Sequence, residues 1–321
     1  MSAMPRLVHR FLYLLCLTLP FTGAACTTIG TMTSPRAFGS WIAFGECAGS
    51  STSQIVAAHP DGTGRHTITT NAAPSWFPAW SPAGDRIAYV YEAPSGLQIW
   101  TTNADGSASH ALTTIGNSLA PSWSHDGRRI AFAHMTGINR TFKIWVMDVD
   151  GTNARQVTNT ASAAIDENVP RWSPDDQQLV YTCNERGTYE IWVTDVRTGA
   201  ERKPLTTSYY DSTLRANIEQ KVPAWSPDGR KIVYWSGVEG NDPRPNLPRD
   251  VWIMNADGNE QRRLVAGDDP NWSPDGKTVI FSSAAGIVPA IGAVLPNGDS
   301  ARVLFNVQAC RSLQSSWGSE P

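Results

Sequence analysis

Trp225-Ser-Pro-Asp-Gly229, followed by Ile232-Val-Tyr234, decides the fold, because the chain writes this phrase five times. The other copies are Trp80-Ser-Pro-Ala-Gly84 with Ile87-Ala-Tyr89, Trp123-Ser-His-Asp-Gly127 with Ile130-Ala-Phe132, Trp172-Ser-Pro-Asp-Asp176 with Leu179-Val-Tyr181, and Trp272-Ser-Pro-Asp-Gly276 with Val279-Ile-Phe281. The Trp-to-Trp spacings, 43, 49, 53 and 47 residues, are the period of a propeller blade rather than of a helical repeat.

In each unit Pro presets φ at the second turn position, Asp tolerates the next, and Gly supplies the positive φ that sends the strand back. The flanking segments alternate and are β-rich, as in Phe77-Pro-Ala-Trp80 and Ile87-Ala-Tyr-Val-Tyr91. A second hairpin follows at Asn103-Ala-Asp-Gly106, Asp148-Val-Asp-Gly151, Asp195 and Asn255-Ala-Asp-Gly258. The expected fold is all-β: four-stranded antiparallel blades that bury both faces only by stacking in a ring. Gly39-Ser-Trp-Ile42-Ala-Phe44 starts a blade that lacks a Trp-Ser-Pro turn before it, while Trp317 stands 45 residues after Trp272. A C-terminal strand therefore completes the first blade, giving six blades that start near residues 38, 76, 120, 169, 222 and 269. Cys47 and Cys310 fall nearly opposite each other on that closing blade. A disulfide between them is expected, with two unpaired buried thiols as the alternative. Cys183, with no His near it in sequence, reads as an inert core thiol.

Bulk composition sets further bounds. A hydrophobic content of 41% with 13 Trp suffices for a core, and the formal net charge is -3. Without Arg6 and Arg10 the balance is 24 basic to 29 acidic residues, and no basic run is visible. That excludes a nucleic-acid footprint. Residues 1–25 read as an export signal: Arg6, His9 and Arg10, an apolar stretch over 11–21, then Gly23-Ala-Ala25. The apolar stretch is too short for a stable membrane span. The small residues ending in Cys26 resemble a bacterial lipobox, which would make Cys26 the acylated first residue and 26–37 its tether. Ordinary secretion and an uncleaved anchor are the alternatives. The propeller takes residues 38–321.

Trp-Ser-Pro-Asp-Gly, Ile-Ala-Tyr, Ile-Trp and Asn-Ala-Asp-Gly together resemble the propeller repeat of the TolB-like family over essentially all of 38–321. The resemblance implies an exported envelope protein. TolB proper is periplasmic, binds a peptidoglycan-associated lipoprotein and carries an N-terminal α/β domain, for which no room is left between Cys26 and the first blade. Similar propellers occur in prolyl oligopeptidase-like peptidases and as sugar- or peptide-binding modules. Here no Gly-x-Ser-x-Gly elbow or His-Glu-x-x-His motif is written, and the cysteines lack zinc spacing.

Propellers bind on the face that carries the inter-blade links and the loops between second and third strands. The turn Asp residues lie on the other face, where turn chemistry already explains them. The binding face should carry Glu46, Glu92, Glu185 and Glu239 after the second strands, and Asp166, Glu167, Asp211, Glu219, Asp268 and Asp269 in the links. Arg140, Arg171, Arg186 and Arg215 balance part of that charge. Such acids could hold a cation in the central channel or a basic segment of a partner; a solvated rim is the alternative. Trp76, Phe77, Tyr209, Tyr210 and Trp235 offer stacking surfaces, blade packing being the other reading of Phe77 and Trp235. The insertion 237–249, with Pro243, Pro245 and Pro248, adds a loop on the same face. His134 is the one His expected there. The resulting expectation is a monomeric, non-catalytic, lipid-tethered propeller that binds an envelope protein or polysaccharide and needs no cofactor. Its alternative is a carbohydrate-active lyase or glycosidase, which needs paired channel carboxylates about 5–10 Å apart.

Overall fold

A computed structural model describes residues 40–47, 52–136, 140–160, 162–199, 202–238, 247, 249–283, 289–308 and 315–318. They form six antiparallel sheets. In the second blade the strands run Ser75–Trp80, Arg86–Ala93, Gly96–Asn103 and His110–Ala111, from the channel outward. The first blade is shared between distant parts of the chain. Its inner strand is Ser315–Gly318, which pairs Trp317 with Ile42 and Ser316 with Ala43. Trp41–Glu46, Gln54–Ala58 and His66–Thr67 lie outside it. The inner strands contact one another in a closed circuit, with Ser315–Gly318 touching both Ser75–Trp80 and Asp268–Trp272.

Strand alternation explains why the repeat closes into a ring. Successive side chains of a strand point to opposite faces, so the large first and third residues of Ile-Ala-Tyr face the preceding blade and the small middle one faces the next. Ile87 and Tyr89 pack with Ala43, Ile55 and Ala57 of the first blade, whereas Ala88 packs with Ile130 and Phe132 of the third. The pattern recurs at Leu179-Val180-Tyr181, Ile232-Val233-Tyr234 and Val279-Ile280-Phe281. Six apolar clusters thus fill the six blade interfaces. The turn Trp faces backward as well. Trp123, Trp172 and Trp272 donate their indole N–H to the carbonyls of Ala79, Ser122 and Ala224 in the preceding blade, at 3.0, 3.1 and 3.2 Å.

The choice of Tyr or Phe in the third position follows a rule. At one register position, just before the outer strand, Ser109 and Gln261 hydrogen-bond the hydroxyls of Tyr89 and Tyr234 at 2.7 and 3.2 Å, and Arg202 Nε donates to that of Tyr181 at 3.0 Å. Where Ala154 or Ala301 holds that position, the aromatic is Phe132 or Phe281. In the first blade Arg65 lies over the Phe44 ring, 5.1 Å from its centroid. A buried hydroxyl without a partner costs about 1–3 kcal/mol, and the chain either supplies the partner or omits the hydroxyl.

Five inner strands carry a kink. Phe77, Ala120, Val169, Val222 and Asp269 have φ of 50, 53, 51, 53 and 49°, and each precedes a proline. At each site two residues oppose one, so that the bulge lies across from Tyr89, Phe132, Tyr181, Tyr234 or Phe281. Positive φ is strained for β-branched Val169 and Val222, by about 1–3 kcal/mol, and it runs against the extended preference of a pre-proline residue. Proline has no N–H to pair, which suits it to a bulge at a sheet edge such as these. The closing strand has Ser315 at the proline position and pairs it directly with Phe44.

The fifth blade departs from the others. Its inner strand is Ala216–Trp225, which starts ahead of the expected 222 because its first residues pair with an additional strand, Tyr209–Asp211. Tyr209 stands opposite Ile218 and Asp211 opposite Ala216. Asp211 closes the ribbon by accepting the N–H groups of Thr213 and Leu214 at 2.8 and 2.9 Å.

Candidate functional site

Antiparallel threading puts the Trp-Ser-Pro-Asp-Gly hairpins at one end of the channel and the inter-blade links at the other. At the turn end every repeat acid has a local task. Ser124, Ser173 and Ser226 donate to Asp126, Asp175 and Asp228 at 2.6 Å, and Ser273 to Asp275 at 2.7 Å. The same hydroxyls accept the N–H of Arg129, Gln178, Lys231 and Thr278 at 2.9 Å. Where Ala83 replaces the acid, Ser81 turns to Asp85 instead, at 2.6 Å. The seryl donor holds Asp175 and Asp228 below the usual carboxylate range. Asp176, in the glycine place at φ 58°, accepts the N–H of His125 and Asp126 of the neighbouring blade at 2.7 and 2.8 Å.

At the loop end the expected rim of free acids proves to be largely an internal network. Glu46 is buried, ion-paired with Arg65, and accepts the N–H of Gln308 at 2.9 Å. Glu167 is wholly buried; it accepts from the Thr158 hydroxyl and from Arg202 at 2.8 Å. Burial raises its pKa in spite of both partners. Arg202 also reaches Glu185 at 2.8 Å. Asp166 accepts the N–H of Phe142 at 2.7 Å and the hydroxyl of Tyr189 at 2.8 Å, which ties the third blade to the fourth. Glu219 pairs with Lys221 at 2.8 Å, and that ammonium lies over the Tyr189 ring. Asp268 pairs with Arg249 at 3.3 Å, and burial pushes its carboxyl upward. These acids are held because they sit where links enter the sheets, and a buried carboxylate there needs a donor.

The aromatic candidates divide in the same way. Trp235 is buried, and Trp76 and Phe77 pack against the cluster between blades two and three. Tyr209 and Tyr210, on the additional ribbon, are 55% and 62% exposed. Glu92 is also exposed. His134 Nδ1 lies 2.9 Å from the Ser118 hydroxyl, and desolvation lowers its pKa, so it is a neutral sheet residue at pH 7. Cys183 is buried, with its thiol pushed up to about 12 by desolvation. Cys47 is disulfide-bonded, and its N–H donates to Gln308 O at 2.7 Å. Cys26, Glu239, Cys310 and most of the 237–249 insertion lie outside the described residues. Among the described residues no group of three His, Cys, Asp or Glu is placed to hold a metal ion.

Between the two ends runs the channel. Near the turns it holds a cavity of ≈ 150 Å³ walled by the last residues of the inner strands, with Arg171 among them.

A family model described as the TolB beta propeller domain matches residues 31–319. The chain belongs to the TolB β-propeller family. An uncharacterized peptidase of Bacillus subtilis, YuxL, is 27% identical over 55% of this chain and 31% of its own length. A TolB homolog of Chlorobaculum tepidum is 29% identical over 44% of this chain and 27% of its own. The chain thus spans under a third of either relative. The crystal structure of TolB from Acinetobacter baumannii matches with a TM-score of 0.70 at 22% identity, covering 88% of this chain and 67% of that one.

Within this TolB propeller, the sequence reading missed the inner-strand bulges and the fifth-blade ribbon. The bulges had a signal: Pro78, Pro121, Pro170, Pro223 and Pro270 each stand two residues before the repeat Trp, and proline inside a strand marks a bulge or a sheet edge. The ribbon had a weaker one, the 53-residue spacing between Trp172 and Trp225.

Proposed function

We propose that this TolB propeller is an exported, non-catalytic binding module that engages an envelope protein or polysaccharide through its loop face. The observation that carries the reading is the ribbon of the fifth blade. Tyr209 and Tyr210 are exposed on an element that the repeat does not need, and exposed tyrosines on a rigid scaffold are effective contact groups. The 237–249 insertion leaves the same blade at the same end, and Glu92 and Glu185 stand exposed on that face. Lipidation at Cys26 tethers the ring to a membrane, in the periplasm, where TolB propellers are at home. Cys47 pairs with Cys310 and pins the closing strand, leaving Cys183 as the one thiol that titrates on denaturation without reduction in the mature chain with Cys26 replaced.

The test is retention of envelope components by the mature chain, comparing wild type with Tyr209→Ala/Tyr210→Ala. Hydrogen exchange over 205–220 serves as the footprint. Retention and protection by wild type alone support the reading. Equal retention by both chains, or none by either, removes it.

A further inference from the structure

We propose that the turn end of the central channel is a binding site for a small oxyanion, centred on Arg171. Each inner strand brings the residue before its Trp to this cavity: Ala79, Ser122, Arg171, Ala224, Asn271 and Ser316. One of the six carries a formal charge, and it is a cation.

Arg171 differs from the arginines that stand beside the buried acids. Arg65, Arg202 and Arg249 each touch a carboxylate. Among the described residues Arg171 makes one hydrogen bond, to Pro170 O at 2.9 Å, and has no carboxylate within ion-pair distance. Asp269 acts on it from farther away, and burial pulls the guanidinium down to about 10, so it stays charged at neutral pH. A partly buried cation is costly without a counter-charge. Its unused N–H groups form a fork that matches an oxyanion.

The cavity wall adds donors of its own. Ser122 and Ser316 place hydroxyl groups on the same wall as Arg171. The lining residues include this guanidinium and no carboxylate, which favours an anion. The cavity, ≈ 150 Å³, has room for inorganic phosphate, sulfate or a small carboxylate. The site lies at the opposite end of the channel from the fifth-blade ribbon and stands independently of the loop-face reading.

The experiment is calorimetric titration of the full mature chain with inorganic phosphate, and in a second arm with acetate, at constant ionic strength in chloride. Wild type should bind at least one of the two saturably, and which one it prefers tells phosphate chemistry from carboxylate chemistry. Arg171→Met should weaken binding by about tenfold or more, as expected for lost hydrogen bonds to a charged group. Asp269→Asn removes the opposing carboxylate and should tighten binding severalfold, which keeps the test open if the arginine variant fails to fold. No saturable binding by wild type, undiminished binding by Arg171→Met, or unchanged or weaker binding by Asp269→Asn would each overturn the site.

Discussion

At the turn end of the ring Asp175 and Asp228 sit in shallow hairpins, each held by a seryl hydroxyl two residues away, and their pKa values are lowered. At the loop end Glu167 and Asp268 are drawn into the sheets, and burial raises theirs although each has an arginine partner. The same residue class therefore responds to pH with opposite sign at the two ends. A lowered carboxylate stabilises the fold above its ordinary 3.8, and that contribution is lost as pH falls through the folded value. A raised one holds its proton longer in the folded state, so its contribution is full below the ordinary 4.5 and is lost as pH rises through the folded value. Local turn chemistry builds the first end, and long-range pairing between links and blades builds the second.

The contrast can be broken most forcefully at Arg202. Arg202→Met leaves Glu167 buried without its counter-charge, which should cost about 3–5 kcal/mol at pH 7. Urea unfolding should show that loss shrinking toward pH 5, where Glu167 can take a proton instead; a loss that does not change with pH would show that the pair is not what couples this end. At the turn end Ser226→Ala removes one bracket of several and should cost only about 1 kcal/mol. An effect equal to that of Arg202→Met would erase the difference between the ends. The smallest and sharpest effect is in slopes. Glu167→Gln should flatten the decline of stability above pH 4.5, and Asp228→Asn should soften the acid limb below 3.8. If the two variants altered the same limb, the opposite-sign account would be wrong.

Legibility followed the same division. The hairpins, the blade count and the latch at Trp317 were readable because each depends on residues close together in sequence or on strict repetition. The turn Asp residues were correctly read as turn chemistry for that reason. Glu46 and Glu167 looked like rim acids because their partners, Arg65 and Arg202, stand 19 and 35 residues away and reach them along a blade face. No spacing rule links such positions; strand register does. The Tyr hydroxyl partners Ser109, Arg202 and Gln261 were hidden in the same way, although the alternation of Tyr and Phe among the repeats was in plain view.

The pairing of Trp317 with Ile42 also changes how the molecule can come apart. An open stack of repeats has two terminal units, each with a single neighbour, and unfolding frays inward from them. Here the seam gives every blade two neighbours, so no blade is terminal and none needs a polar cap. Loss of any one interface opens the circle into a stack with two ends. Resistance to local opening is thus a property of the circle, and the four residues Ser315–Gly318 confer it on all six blades at once.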